Sequence, residues 1–277
     1  MAEITAADVK ALRAKTGLPL MDCKKALNAC EGNEEDAIRW LRERGAKIMG
    51  GRADRETAFG RFGIYCGTDK TACAIVELKC ESDPVAKNED FIRLADDLAQ
   101  QLAVGPEVSS VDDLLAQPSP SEDGNTLGEQ KDDLMNRIRE VFNVGRFAKL
   151  DGPCGGYSHN SGTIAGVLLA VNGGNDEAAK DVCMHITAMR PLALTRDQLD
   201  PEEVEKERSI LRDAAIKEGK PANIAEKMVE GQLRKFFSEK VLLDQPFVKE
   251  PKMSVGDYAK QNNMEINSYV HWVLGEQ

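Results

Sequence analysis

The stretch Lys79–Phe91, KCESDPVAKNEDF, changes its hydrophobic period halfway along. Up to Cys80 the chain alternates, with Val76, Leu78 and Cys80 set against Glu77, Lys79 and Glu81, the two-residue period of a strand. Beyond Ser82-Asp83-Pro84 the apolar residues Phe91, Ile92, Leu94, Ala95, Leu98 and Leu102 recur at helical spacing. Ser82 or Asp83 supplies an N-cap, and Pro84 suits the first helical position because its missing N–H would have no partner there. A strand that turns directly into a helix puts sheet and helix in one packed unit.

Working outward, residues 58–66 and 71–80 read as a hairpin around Gly67-Thr68-Asp69-Lys70. The pattern returns at 155–174, GGYSHNSGTIAGVLLAVNGG, a hairpin turning near Asn160-Ser161-Gly162, with a helix over Asp176–Met189. Hairpin then helix, twice, predicts an α+β core in two similar halves. Between them, residues 105–125 form a polar, proline-bearing connection, expected as a solvent-exposed loop with a short helix over 111–116. Thr126 and Glu129 form a capping box that opens a helix through Leu134, Ile138, Val141 and Phe142.

The first 45 residues predict three short helices. Thr5 and Asp8 cap the first, which carries Val9 and Leu12 and ends at Thr16-Gly17. The second covers Leu20–Ala29 with Cys23, Ala26, Leu27 and Cys30 inward, and Gly32 breaks it. Asn33 caps the third, whose apolar residues are Ala37, Ile38, Trp40 and Leu41, followed by a Gly-Gly-Arg linker near residue 50. Asp200-Pro201 starts a long helix, Gly219 stops it, and Pro221 starts another running back. Val204, Leu211 and Ala215 on the first, and Ile224, Met228, Val229, Leu233 and Phe236 on the second, make a protruding antiparallel pair. The chain then re-enters the core and ends in a strand near Ile266–Leu274. The expected division is 1–50, a helical module and linker; 51–150, the first half of the core; 151–196 with 241–277, the second half; and 197–240, the helical hairpin.

Thirty-six Lys and Arg against 47 Asp and Glu leave a net charge of −11, which repels phosphate backbones and argues against direct nucleic-acid binding. Aromatic residues are only 5%, too few for base-stacking platforms. No apolar run reaches the roughly 18 residues a membrane span needs, and the N-terminal MAEITAADVK lacks the pattern of a secretory signal. Seven cysteines without a C-x-x-C pair read as free, buried thiols of a reducing cytoplasm.

Chemistry-bearing motifs are scarce. There is no phosphate-binding G-x-x-x-x-G-K-[ST] loop and no G-x-S-x-G elbow. Gly152, Gly155 and Gly156 suit turns, and His185, on an apolar helix, suits a core position better than a metal site. No cofactor and no bond-making chemistry are expected. Leu20 and Met21, an apolar pair at a loop–helix junction rimmed by Asp22, Lys24 and Lys25, fit either an interface anchor or a hydrophobic staple.

Three stretches carry a resemblance. LRAKTGLPLMDCKKALNACEGNEEDAIRWLRERG (12–45) resembles the N-terminal module of bacterial elongation factor Ts, with its threonine-glycine and M-x-D-C-K-K-A-L. The corner Ser82–Asn88 resembles that family's T-D-F-V-A-[RK]-N, and KPANIAEKMVEGQLRKFFSEKVLLDQPFVKEP (220–251) resembles its third signature. The resemblance implies a UBA-like three-helix module, a two-part core and a helical hairpin. It implies a guanine-nucleotide exchange factor for the GTPase elongation factor Tu in the cytoplasm, with a hairpin suited to dimerising, to embracing the partner, or to both.

Mapped onto this chain, Arg13, Leu20, Met21 and Lys24 fall on the surface that grips the GTPase domain. Asp83 falls on the acid that intrudes near its magnesium site, flanked by Pro84 and Val85. Tyr157, His159, Phe247 and Val248 fall on positions facing the partner's third domain. Pro84 departs from the family, which usually has phenylalanine there; proline buries far less than the roughly 150–250 Å² of an aromatic ring but stiffens the corner. Two rivals stand beside this: a binder of ubiquitin-like proteins, from the N-terminal bundle alone, and an enzyme whose carboxylates or cysteines converge in the core.

Overall fold

The computed structural model describes residues 4–52, 54–217 and 221–276. At the N-terminus, α1 (Ala6–Thr16) begins with the Thr5 hydroxyl accepting the Asp8 N–H at 3.3 Å while the Asp8 carboxylate accepts the Thr5 N–H at 2.9 Å. It ends at Gly17, whose φ of +68° suits a residue without Cβ. Helices α2 (Leu20–Ala29) and α3 (Glu34–Gly50) close a small core of Val9, Leu12, Leu18, Cys23, Ala26, Leu27, Ala37 and Leu41. Cys30, Ile38 and Trp40, expected inward, are only half-buried around it.

The third helix does not stop for a linker. It runs 17 residues to Gly50 and delivers Met49 into the neighbouring core. Gly45 explains how, since a Cβ there would lie 2.4 Å from the buried Asn136 side chain. The missing methyl lets two helices approach closely, and Arg42–Asp133 (3.0 Å) and Asp22–Arg139 (2.8 Å) tie the same seam.

The first sheet has the order β1 (Phe59–Tyr65), β2 (Ala72–Cys80), β3 (Asn143–Asp151), all antiparallel. The Lys79–Phe91 corner holds a one-turn helix α4 (Asp83–Ala86), then a break where Asn88 caps α5 (Glu89–Val104). Ala74, Val76, Leu78 and Cys80 face Phe91, Leu94 and Leu98 of α5 in one core. Helix α6 is Val111–Leu115, and α7 (Leu127–Ile138) is shorter than expected. Arg139, at φ +70°, ends it, and Val141 and Phe142 enter the core from irregular chain, Phe142 edge-on to Phe91 at 4.8 Å.

The polar connection is not a loose solvent loop. Gln117 and Ser119 are buried in it; Gln117 accepts from Gln101 (2.9 Å) and donates to the Pro106 carbonyl (3.0 Å). Ser119 donates to buried Gln130 (3.0 Å), which donates to the buried Asp97 carboxylate (2.7 Å), and Ser121 donates to Asp97 as well. Its polar residues are satisfied partners of α5 and α7, which is why they tolerate burial.

The second sheet has the order β4 (Cys154–His159), β5 (Ala165–Gly173), β8 (Met264–Val273). Helix α8 (Asp176–Met189) covers it through Val182, Cys183 and Ile186 against Val167, Leu169 and Val171. The return from the long helices adds β6 (Pro246–Phe247), β7 (Glu250–Ser254) and α11 (Val255–Gln261), none of them foreseen as elements. The opposite faces of β2 and β5 meet: Phe62, Cys73 and Ile75 pack on Cys154, Leu168 and Ala170. Both central strands are thus buried on both sides, in a helix–sheet–sheet–helix stack of α+β class. All seven cysteines are free; Cys30 and Cys66 are half-buried and the rest buried.

Helices α9 (Pro201–Lys217) and α10 (Ala222–Lys240) lie against each other, with Val204 near the start of one and Phe236 near the end of the other in a single cluster, so they run antiparallel. Ala215, Ala225, Val229 and Leu233 are buried, whereas Ile224, expected inward, is 46% exposed. Gly219 lies outside the described residues.

One charge is buried at the sheet–sheet seam. Glu77 on β2 is 1% exposed, and Arg146 on β3 bonds both of its oxygens at 2.9 and 3.2 Å. Truncating Arg146 to Met leaves that carboxylate with only the looser Lys79 ammonium as a cation, at 3.9 Å, and should cost about 3 kcal/mol in urea unfolding, with part recovered when Glu77→Gln is added.

Candidate functional site

Ser82 takes the N-cap position of α4, but its hydroxyl does not cap; it donates to Glu140 at 2.6 Å. Next to it, Glu81 accepts the Val141 N–H (2.8 Å) and the Arg55 guanidinium (3.0 Å). Burial raises the Glu81 pKa, but these two bonds outweigh it and hold the carboxyl below its ordinary range. The Ala86 carbonyl at the far end accepts from buried Arg61 at 3.1 Å. The chain after α7, through Glu140 and Val141, and strand β1, through Arg61, therefore grip the corner at three points.

What the corner exposes is narrow. Pro84 is exposed, Asp83 is half-exposed, and Val85 leans onto the first core instead of pointing outward. The Asp83 carboxylate bonds Lys87 at 2.6 Å, one helical turn on. An acid–base pair on a rigid, proline-stiffened turn is thus the feature offered to solvent.

At the start of α2, Leu20 and Met21 are 41% and 59% exposed, so they do not staple the bundle; buried Leu18 fills that role. Arg13 and Lys24 are exposed with them. In the second half, the Tyr157 hydroxyl lies 3.1 Å from Nδ1 of exposed His159. Val248 is 46% exposed, but Phe247 is not a free surface. It is 1% exposed, stacked on Tyr258 with ring centroids 4.1 Å apart and 5.8 Å from His185. In the free chain it therefore packs in the core, a burial that the resemblance by which it was placed on the partner-facing surface does not reveal.

The matches to known proteins follow the same geography. A family model described as Elongation factor TS matches residues 81–276, from the corner to the last strand. Over 276 residues the chain is 40% identical to an elongation factor Ts of Hydrogenovibrio crunogenus, covering 99% of this chain and 92% of the relative. It is 39% identical, with the same coverage, to one of Methylococcus capsulatus.

The chain belongs to the elongation factor Ts family. That family comprises guanine-nucleotide exchange factors for elongation factor Tu in translation elongation. The elongation factor Ts model begins at the corner, so Arg13, Leu20, Met21 and Lys24 precede it but lie within the span shared with the two relatives. Among the described residues no helix is long and apolar enough to cross a membrane, and no group of three or more His, Cys, Asp or Glu could hold a metal ion.

Sequence reasoning passed over Arg61, Glu81 and Glu140, the side chains that hold the corner. Arg61 was visible as a lone charge inside the strand FGRFGIY. Glu140 carried no signal, since it follows a helix end set by the left-handed Arg139.

His185 settles the geometry beside Val248. It is fully buried; the Val248 N–H donates to its Nδ1 at 3.1 Å, so the proton sits on Nε2, 2.9 Å from the Gln245 side-chain amide oxygen Oε1. Burial holds its pKa below the usual histidine range, with the Gln245 bond opposing. As pH falls through about 6.5 the unfolded chain takes up this proton before the folded one, so stability is full above that pH and lost below it. Urea unfolding at about pH 7.5 and 5.5 should show this loss, and His185→Gln should shallow the dependence, leaving the part due to His271, whose pKa burial also lowers.

Proposed function

We propose that this chain is a guanine-nucleotide exchange factor that binds elongation factor Tu–GDP and promotes GDP release by disturbing the magnesium and phosphate site. The observation that carries this reading is the corner: an exposed proline and a half-exposed acid on a turn gripped at three points, where the family match begins. Exchange needs no bond chemistry in this protein. A factor that weakens GDP binding must itself be bound more weakly in the presence of GDP, to the same degree. Its contacts therefore have to favour a GTPase conformation that holds magnesium and phosphate poorly.

In this reading the N-terminal helices act as a UBA-like gripping module. Leu20 and Met21 supply apolar area, with Arg13 and Lys24 as its charged rim. Asp83 brings negative charge toward the magnesium region, competing with the phosphates for the ion. Pro84 supplies stiffness where the family usually has an aromatic wedge, and Val85, being turned inward, backs the turn and does not substitute for that ring. Tyr157, His159 and Val248 contact the third domain of the GTPase. The long helical pair, with Ile210, Ile216 and Ile224 exposed, is the surface through which this chain would self-associate or embrace its partner.

The test is stopped-flow release of a fluorescent GDP from elongation factor Tu. The native chain should accelerate release, Asp83→Ala should lower the maximal rate by about tenfold, equivalent to about 1.4 kcal/mol of barrier, and Pro84→Phe should raise it. An Asp83→Ala variant as fast as the native chain would overturn the role given to the corner. A native chain without effect would overturn the exchange function itself.

A further inference from the structure

Arg61 is a buried cation without a carboxylate partner in its hydrogen bonds. It is 8% exposed, sits on β1 in the register opposite Leu78, and points to the side on which the corner and α5 lie. One terminal nitrogen donates to the Ala86 carbonyl at 3.1 Å and the other to the Ser161 carbonyl at 3.2 Å. Its Nε–H is buried with no partner among the described residues. Burying a guanidinium for two neutral carbonyls, with one donor left orphaned, is an expensive way to stabilise a fold. An aliphatic side chain of the same length would pack there without that penalty.

The two carbonyls belong to distant parts of the chain. Ala86 ends the corner helix α4, immediately after Asp83-Pro84-Val85. Ser161 lies in the turn between β4 and β5, two residues past His159, where Asn160, Ser161 and Gly162 hold φ values of +52°, +54° and +86°. Backbone in that region is strained for Asn and Ser and persists only where the surroundings fix it. The surroundings here are β1: the Phe62 N–H donates to the Gly162 carbonyl at 2.9 Å while Arg61 takes the carbonyl before it. A Cβ on Gly162 would sit 3.0 Å from the Phe62 carbonyl, so the turn lies directly on the strand.

We propose that Arg61 is a positioning residue for nucleotide exchange, a rigid strut that fixes the Asp83 corner and the His159 turn at one spacing so that both meet the GTPase together. This rests on the exchange function proposed above. A planar guanidinium suits the task because its two terminal nitrogens donate in fixed, divergent directions. Asp96 on α5 supplies favourable charge near it without a hydrogen bond, and keeps the buried cation tolerable.

Two variants separate the strut from a packing role. Arg61→Met keeps the length and removes both donors; Arg61→Lys keeps the charge but replaces the fork with a single ammonium. Both should lower the maximal rate of GDP release by about tenfold, with the half-saturating concentration changed far less, because each surface still binds while the corner drifts from its productive place. Arg61→Met should also be non-additive with Asp83→Ala, since the strut acts through that acid. Unchanged maximal rates in the folded variants, or full additivity with Asp83→Ala, would overturn the proposal.

Amide hydrogen exchange reads the strut without any GTPase, so its outcome stands even where the native chain proves inactive. The Ala86, Lys87 and Asn88 amides report the corner, and the Gly162 and Thr163 amides report the turn. Arg61→Met should speed exchange at both sets while leaving α8 protected. Faster exchange at one set alone, at neither, or uniformly through the molecule would each count against a strut.

Discussion

The Arg146 guanidinium stands at the seam between the two stacked sheets and fixes how their edges meet. It bonds Glu77 through both carboxylate oxygens, donates to the Val273 carbonyl of β8 at 3.0 Å, and lies 5.1 Å from the centre of the Trp272 ring. Glu77 occupies the face of β2 that Cys73 and Ile75 turn toward the second sheet. A carboxylate at that place has no water to solvate it, so the cation must come with it. One arginine thus joins strands β2, β3 and β8, and the apolar packing of Phe62 on Leu168 continues inward from that edge. Close approach there needs Gly166, where a Cβ would fall 2.9 Å from both Ile75 and Phe62.

The change of period across Lys79–Phe91 made strand, corner and helix legible, because each side obeys its own spacing strongly. The second hairpin and α8 were legible for the same reason. Strand β3 was not: in NVGRFAKLD the residues are at most half-buried, and a strand that packs neither face fully shows no clean alternation. The end of α7 also escaped, because the periodic apolar residues continue through Val141 and Phe142 while the backbone turns at Arg139. Local pattern records which residues are apolar, and irregular chain can bury them as well as a helix can.

The polar connection at 105–125 failed for a different reason. Its Gln and Ser residues look like solvent chemistry, yet Gln117 pairs with Gln101 and the Pro106 carbonyl, and Ser119 pairs with Gln130, which in turn pairs with Asp97. Pairwise satisfaction of buried polar groups leaves no periodic trace. The candidate contact surfaces divide the same way: the exposure of Leu20 and Met21 and the burial of Phe247 both depended on neighbours outside their own element. Which residue types could contact a partner was legible; which of them the fold leaves free was not.

The pairing of Asp83 with Lys87 has a consequence for selectivity. A bare carboxylate on a stiff turn would present its whole charge to any surface the protein met. With an ammonium 2.6 Å away and both groups half open to solvent, the acid is occupied by a tethered, weakly held counter-ion. A surface that captures Asp83 releases the Lys87 ammonium, already half open to solvent, to water or to an anion of its own. The corner therefore favours a surface that offers Asp83 a cation while leaving the Lys87 ammonium to solvent or an anion, a preference of at most about 1 kcal/mol.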